Sequence, residues 1–200
     1  MKSREGTTVD ADDLIDEMVA TAAETTRSLG KVEGLGVQEA KQLYAMLGVG
    51  AIKYFLLRVN PKKRLLFNPE ESIDFQGNTA SFIQYTHARI CTMLKKAGYA
   101  TATVPQGWET PLFEAEKSVI LQLSRYQETL QHAAKTYNPA LVAEYVYQLA
   151  EAYNHLYATL PIMKAETKEL MDRRLYLSWA TVLLIKKGMT LLGIEVPEKM

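Results

Sequence analysis

The sequence predicts an all-α helical bundle carrying one small β-hairpin, and three observations predict it. Apolar residues recur at helical spacing over most of the chain. Pro61, Pro69, Pro105, Pro111 and Pro161 fall between those runs. The period changes in one place, "NPKKRLLFNPEESIDF", where two short alternating runs flank Asn68-Pro69.

In chain order, Asp10, Asp12 and Asp13 read as the cap and first turn of a helix, because carboxylates there meet unpaired N–H groups. That helix is expected to stop near Gly30. "KVEGLG" links it to a second helix over 37–59, whose Leu43, Leu47, Ile52, Phe55 and Leu56 keep helical spacing. Asn60-Pro61 ends it, and "RLLF" and "SIDF" are the expected strands of the hairpin. Helix resumes from Thr79 to Lys96. "AGYATATVPQGWETP" is too rich in glycine and proline for one regular element and marks a boundary or a lid. Four helices are expected after it, over 112–125, 127–137, 139–160 and 165–192, with Asn138 as a cap and Pro139 in a first turn.

Composition narrows the function classes. Lys+Arg and Asp+Glu are equal at 23 each, so any basic surface has to be local. The single cysteine, Cys91, rules out an intrachain disulfide and a cysteine-based metal cluster, as expected for a reducing, cytoplasmic setting. Apolar runs break well before the roughly 18 residues of a membrane span, and the first residues lack a signal peptide's apolar core. His87, His132 and His155 are scattered, so no metal site is expected. The sequence contains neither a phosphate-binding P-loop nor a G-x-G-x-x-G run.

The candidate binding residues lie on four stretches. On the 139–160 helix, one apolar face carries Leu141, Val142, Tyr145, Leu149, Ala152, Tyr153, Leu156 and Leu160, which makes Tyr153 a core residue. Tyr157 falls at the border of that face, and Tyr147 and Asn154 on the far side. Tyr157 is open to two readings, a packed ring with a wet hydroxyl or a platform on which a base stacks. In "SFIQYTHAR", Phe82, Tyr85 and Arg89 share a stripe with Gln84 and His87 beside it, a set that either stacks on unpaired bases or is satisfied internally. Basic residues gather at Lys53, Arg58, Lys62, Lys63 and Arg64, and again at Lys168, Arg173 and Arg174. Each group suits phosphate contact or a solvated surface.

"VGAIKYFLLRVNPKKRLLFNPEESIDFQGNTASFIQYTHARI" resembles the part of arginyl-tRNA synthetases in which D-F, G-N-T and I-Q-Y-T-H-A-R join the catalytic body to an all-helical anticodon-binding domain. "NPALVAEYVYQLAEAYNHLY" resembles the helix of the DALR-type anticodon-binding domain, and "LLGIEVPEKM" resembles the family's closing Pro-Glu-x-Met. Ala80 and Ser81 depart from a common Gly-Pro, a difference that bears on the turn before the helix. "MKSREG" resembles the second class I signature loop from its second position onward. The resemblance implies that Met1, Lys2, Ser3 and Arg4 are a remnant of the loop that places cationic and hydroxyl groups on ATP phosphates. With no H-x-G-H motif in the sequence, it implies a C-terminal portion of a class I arginine-tRNA ligase, inactive by itself.

The resemblance further implies a division at 78/79, with the end of the catalytic region before it and the DALR domain after it. It implies tRNA(Arg) as partner, with Tyr85, Arg89, Asn154, Tyr157 and Met200 at the anticodon and Lys62, Lys63, Arg64, Lys168 and Arg174 as candidates for phosphate contact. No cofactor is expected in this chain. ATP with Mg2+ and L-arginine belong to the whole enzyme, and the chain is expected to be monomeric and off the membrane. Residues 1–30, which would pack on the catalytic body of a whole synthetase, are expected to be loosely held. The rival expectation is a helical interaction scaffold that binds no RNA, its tyrosines in the core and its basic runs solvated.

Overall fold

The computed structural model describes residues 10–30, 34–63, 72–99 and 107–200, and all the regular structure among them is helical. Helix α1 (Ala11–Ser28) begins where the Asp10 side chain accepts a hydrogen bond from the backbone N–H of Asp12, as the acidic cluster requires. Helix α2 (Val37–Leu57) lies against it at close range. A Cβ on Gly48 would stand 2.8 Å from the backbone nitrogen of Val19, so the contact needs a glycine. Met18, Ala22, Leu43, Leu47, Ala51 and Ile73 form the core of this pair. The expectation of a loosely held N-terminal segment is therefore corrected for α1, which buries Met18, Ala22 and Thr26 on its own account.

The hairpin is corrected as well. Its "SIDF" half is not a strand, since Ser72 and Ile73 are helical, and Ile73 buries its side chain in the α1–α2 core instead of pairing across a ladder. A four-residue apolar alternation cannot distinguish these outcomes. "RLLF" lies outside the described residues.

Helix α3 (Ala80–Lys96) starts at Thr79, whose hydroxyl accepts from the Phe82 N–H at 3.2 Å, so Ala80 and Ser81 leave an ordinary capped start. After it come α4 (Glu114–Ser124), α5 (Tyr126–Thr136), α6 (Ala140–Thr159) and α7 (Lys168–Leu191). Helix α6 is the axis of this bundle, with α3, α4, α5 and α7 all packed on it. It buries Val142, Tyr145, Leu149, Tyr153 and Leu156 as the periodicity predicts, but also Ala143, Val146 and Ala150 on a second side. Small residues let the neighbours close in: a Cβ on Gly188 of α7 would stand 2.3 Å from Val146 Cγ1.

Helix α2 touches both cores. Tyr54, fully buried near its end, donates its hydroxyl to the Ala143 carbonyl of α6 at 3.0 Å. After α7, Gly193 turns at φ 68° and residues 193–200 run back without regular structure.

Candidate functional site

The Q-Y-T-H-A-R run of α3 divides by helical angle. Gln84 and His87, three residues apart, point to one side and are buried. Tyr85 and Arg89, four apart, point to another and stay half-exposed. The two readings of the stretch therefore divide between its sides: Thr86 and His87 are hydrogen-bonded inside the protein, as is the Gln84 amide nitrogen, while the Gln84 amide oxygen has no partner among the described residues.

On the open side, four of the residues singled out in the sequence come together. The Arg89 guanidinium carbon lies 4.6 Å from the centre of the Tyr85 ring and 5.2 Å from that of Tyr157, so the cation sits between two aromatic faces. Each such contact is worth about 0.5–2 kcal/mol, depending on how dry it is. Arg89 Nη1 donates to Asn154 Oδ1 at 3.1 Å, and Asn154 Nδ2 donates to Thr86 Oγ1 at 2.8 Å. Asn154 is thus the bracket that joins α6 to α3. That explains an asparagine inside a helix, where it is otherwise unfavourable, and places the "far side" of α6 against α3. The Phe82 and Tyr147 rings meet on the same seam at 5.6 Å.

The aromatic series continues in both directions. The Phe75 ring meets the Tyr85 ring edge-on at 6.2 Å, and Tyr157 leans on buried Tyr153 at 6.3 Å. Tyr157 remains 41% exposed, enough to leave a ring face for a planar ligand. Met200 and Phe75 each pack against the α1–α2 core. Among the described residues no carboxylate pairs with Arg89. Its positive charge is uncompensated at a surface made of ring faces, amide and guanidinium donors, which can stack on a flat group and hydrogen-bond its edge or a nearby anion.

The remaining basic candidates separate from this cluster. Arg174 is corrected: only 2% exposed, it donates from Nε to Glu116 Oε1 at 2.9 Å and from Nη1 to the Pro161 carbonyl at 2.7 Å. A buried guanidinium held by a buried carboxylate is not open to a phosphate. Its neighbour Arg173 shares Glu116 at 3.3 Å and holds Thr110, tying the segment before α4 to α7. Lys168 is exposed in the first turn of α7. Lys62 and Lys63 are exposed in the turn after α2, while Lys53 donates to the Gly193 carbonyl at 2.7 Å and Arg58 is held by the Asn78 carbonyl. Met1, Lys2, Ser3, Arg4 and Arg64 lie outside the described residues. No group of acidic, histidine or cysteine side chains among the described residues could hold a metal, and no described helix is long and apolar enough to cross a membrane.

Sequence reasoning missed Thr86 and Phe75 as members of the site. Thr86 was in view, since it lies between the two candidates on α3. Phe75 carried no signal of its own, because it reaches Tyr85 through a turn whose path spacing does not reveal.

Comparison with known proteins follows the same lines. Residues 83–200 match the family profile described as the DALR anticodon binding domain. Over its whole length the chain is 50% identical to an arginine–tRNA ligase of Amoebophilus asiaticus and 46% identical to one of Porphyromonas gingivalis, covering 34% of each. The chain thus spans about a third of the length of the curated relatives it matches. Among solved structures, an arginyl-tRNA synthetase from Plasmodium falciparum matches 96% of the chain at 26% identity with a TM-score of 0.79, the chain covering 34% of that protein. The Thermus thermophilus arginyl-tRNA synthetase matches 92% at 28% identity with a TM-score of 0.77, the chain covering 32% of it.

Proposed function

The chain belongs to the DALR anticodon-binding domain family, and from that premise we propose that it is the tRNA(Arg)-recognition module of an arginyl-tRNA synthetase. The observation that carries the proposal is the convergence of Tyr85, Arg89, Asn154 and Tyr157 on one partly open face. An unpaired anticodon base stacks on Tyr157, whose other neighbours hold it at a fixed tilt, for about 1–3 kcal/mol. Arg89 keeps further N–H donors for a base edge or a phosphate after bonding Asn154. Met200, which packs on the same α1–α2 core as Phe75, closes the apolar rim. Lys62, Lys63, Arg64 and Lys168 supply outlying phosphate contacts.

In this reading residues 79–200 are the DALR domain and residues 1–78 the end of the catalytic region, with Met1, Lys2, Ser3 and Arg4 in the loop that meets ATP. The whole enzyme joins L-arginine to tRNA(Arg) through an arginyl-adenylate, using ATP with Mg2+, as a monomer in the cytoplasm. This chain contributes recognition and no bond-making of its own. The scaffold reading needs both tyrosines in the core, and the 41% exposure of Tyr157 speaks against it.

The test is an anisotropy titration of the chain with a labelled arginine-tRNA anticodon stem-loop, beside the same RNA with its middle anticodon base changed. Binding of the native loop at least about tenfold tighter, lost in Tyr157→Ala, is expected. Equal, weak binding of both RNAs would overturn recognition by this chain.

A further inference from the structure

Residues 193–200 have no secondary structure of their own, so their backbone acceptors need outside partners. Three alternate carbonyls find side-chain donors: Gly193 from Lys53 Nζ at 2.7 Å, Glu195 from Gln84 Nε2 at 2.8 Å and Pro197 from the His87 ring at 2.8 Å. These three carbonyls thus face α2 and α3. Bonding to a carbonyl requires the proton on Nδ1 of His87. Gln84 is 0% and His87 2% exposed, so neither touches solvent or an RNA on the open face. Gly50 makes room for the first anchor, since a Cβ there would stand 2.8 Å from Gln84 Nε2. Beyond them, Met200 and Phe75 both pack on the α1–α2 core, and the Phe75 ring meets that of Tyr85.

We infer that Gln84 and His87 are positioning residues for RNA recognition, holding residues 193–200 across α3 so that Met200 and Phe75 back the Tyr85 ring. The inference rests on the tRNA reading above. One helix then presents the stacking surface with Tyr85 and Arg89 and fastens its backing with the two residues on its other side.

The test compares His87→Leu with His87→Asn, because the asparagine amide nitrogen occupies about the place of Nδ1 and restores the bond to Pro197. Amide hydrogen exchange and anticodon stem-loop binding are measured on the same 200-residue proteins. His87→Leu is expected to speed exchange in residues 194–200 about tenfold, leave the α6 amides unchanged, and weaken binding about tenfold. His87→Asn is expected to restore both. Adding Met200→Ala to His87→Leu is expected to weaken binding no further, since both changes remove one backing. Unchanged exchange in His87→Leu, a binding loss that His87→Asn fails to rescue, or full additivity with Met200→Ala would each overturn the inference. A wild-type chain that does not bind the stem-loop would sink the tRNA reading and the RNA half of this one, while exchange still decides whether His87 holds the segment.

Discussion

Arg89 and Arg174 both lie against aromatic rings, yet they occupy opposite electrostatic situations. Arg174 stacks over Phe113 at 5.2 Å inside the α4–α7 interface and, with Arg173, is held by Glu116, which is itself 0% exposed. Arg89 lies between two tyrosines at the α3–α6 seam with an amide as its partner and no carboxylate. Burying a cation requires a counter-charge, and once that is supplied the cation becomes a structural element closed to ligands. A half-exposed cation flanked by rings avoids that cost and keeps its field for an incoming anion. Charge alone therefore does not nominate a nucleic-acid contact; the partner and the exposure decide.

The largest effect expected from this contrast is at Glu116. Replacing it with alanine leaves the buried Arg174 guanidinium without a carboxylate and Arg173 with only Glu169 at 4.0 Å, and it removes the acceptor for the Phe113 N–H. A loss of about 3–5 kcal/mol in urea denaturation is expected. A loss below about 1 kcal/mol would mean that the α4–α7 cations are solvated after all, and the contrast with Arg89 would collapse.

Next in size is Arg89→Leu, which is expected to lower stability less than Glu116→Ala does, through the lost ring contacts and the Asn154 bond, and to lower RNA binding more. Loss of a charge-assisted contact predicts anticodon stem-loop binding weaker by about 1.5–3 kcal/mol. Arg89→Lys sharpens the point: a lysine keeps the charge but not the planar group that lies between the rings, so it is expected to recover only part of the loss. Full recovery by lysine would reduce the site to bulk attraction.

The smallest effect is in pH, and it concerns the sealed side of α3. Burial lowers the pKa of His87, opposed by its bond to Pro197, with Lys186 pushing down and Glu198 up. The folded state then binds the proton less readily than the unfolded chain, whose histidines titrate near about 6.5. Stability should be fully present above that value and decline as pH falls below it toward the folded pKa. Denaturation midpoints taken from pH 7.5 to 5.5 should show that decline in the wild type and a weaker one in His87→Asn. Identical slopes would place the histidine outside the linkage.

The helices were legible because their ends carry local chemistry. Asp10 and Thr79 cap α1 and α3 through their own side chains, and each of the seven described helices lies within a few residues of its expected span. What a short window cannot hold was misread. "SIDF" alternates like a strand, but the α1–α2 core it enters is built by residues far from it in sequence. The second buried side of α6, at Ala143, Val146 and Ala150, was hidden because small residues blur a helix that is covered from several directions. Arg174 looked like Lys168 until Glu116, 58 positions away, supplied its partner. The site itself became nameable through resemblance, since spacing sets Tyr85 beside Arg89 and Asn154 near Tyr157 but says nothing about α3 meeting α6.

The closing segment also orders the making of the protein in time. Lys199 reaches back to the Gly34 carbonyl across 165 positions, and Gln84 to Glu195 across 111. Contacts that distant form late, both because closing such loops costs entropy and because the ribosome releases these residues after everything they fasten. A chain whose synthesis stalls inside α7 already carries Gly34, Lys53, Gln84 and His87 but lacks the segment that they fasten, so the proposed brace for the RNA-binding face is expected only once that segment is made.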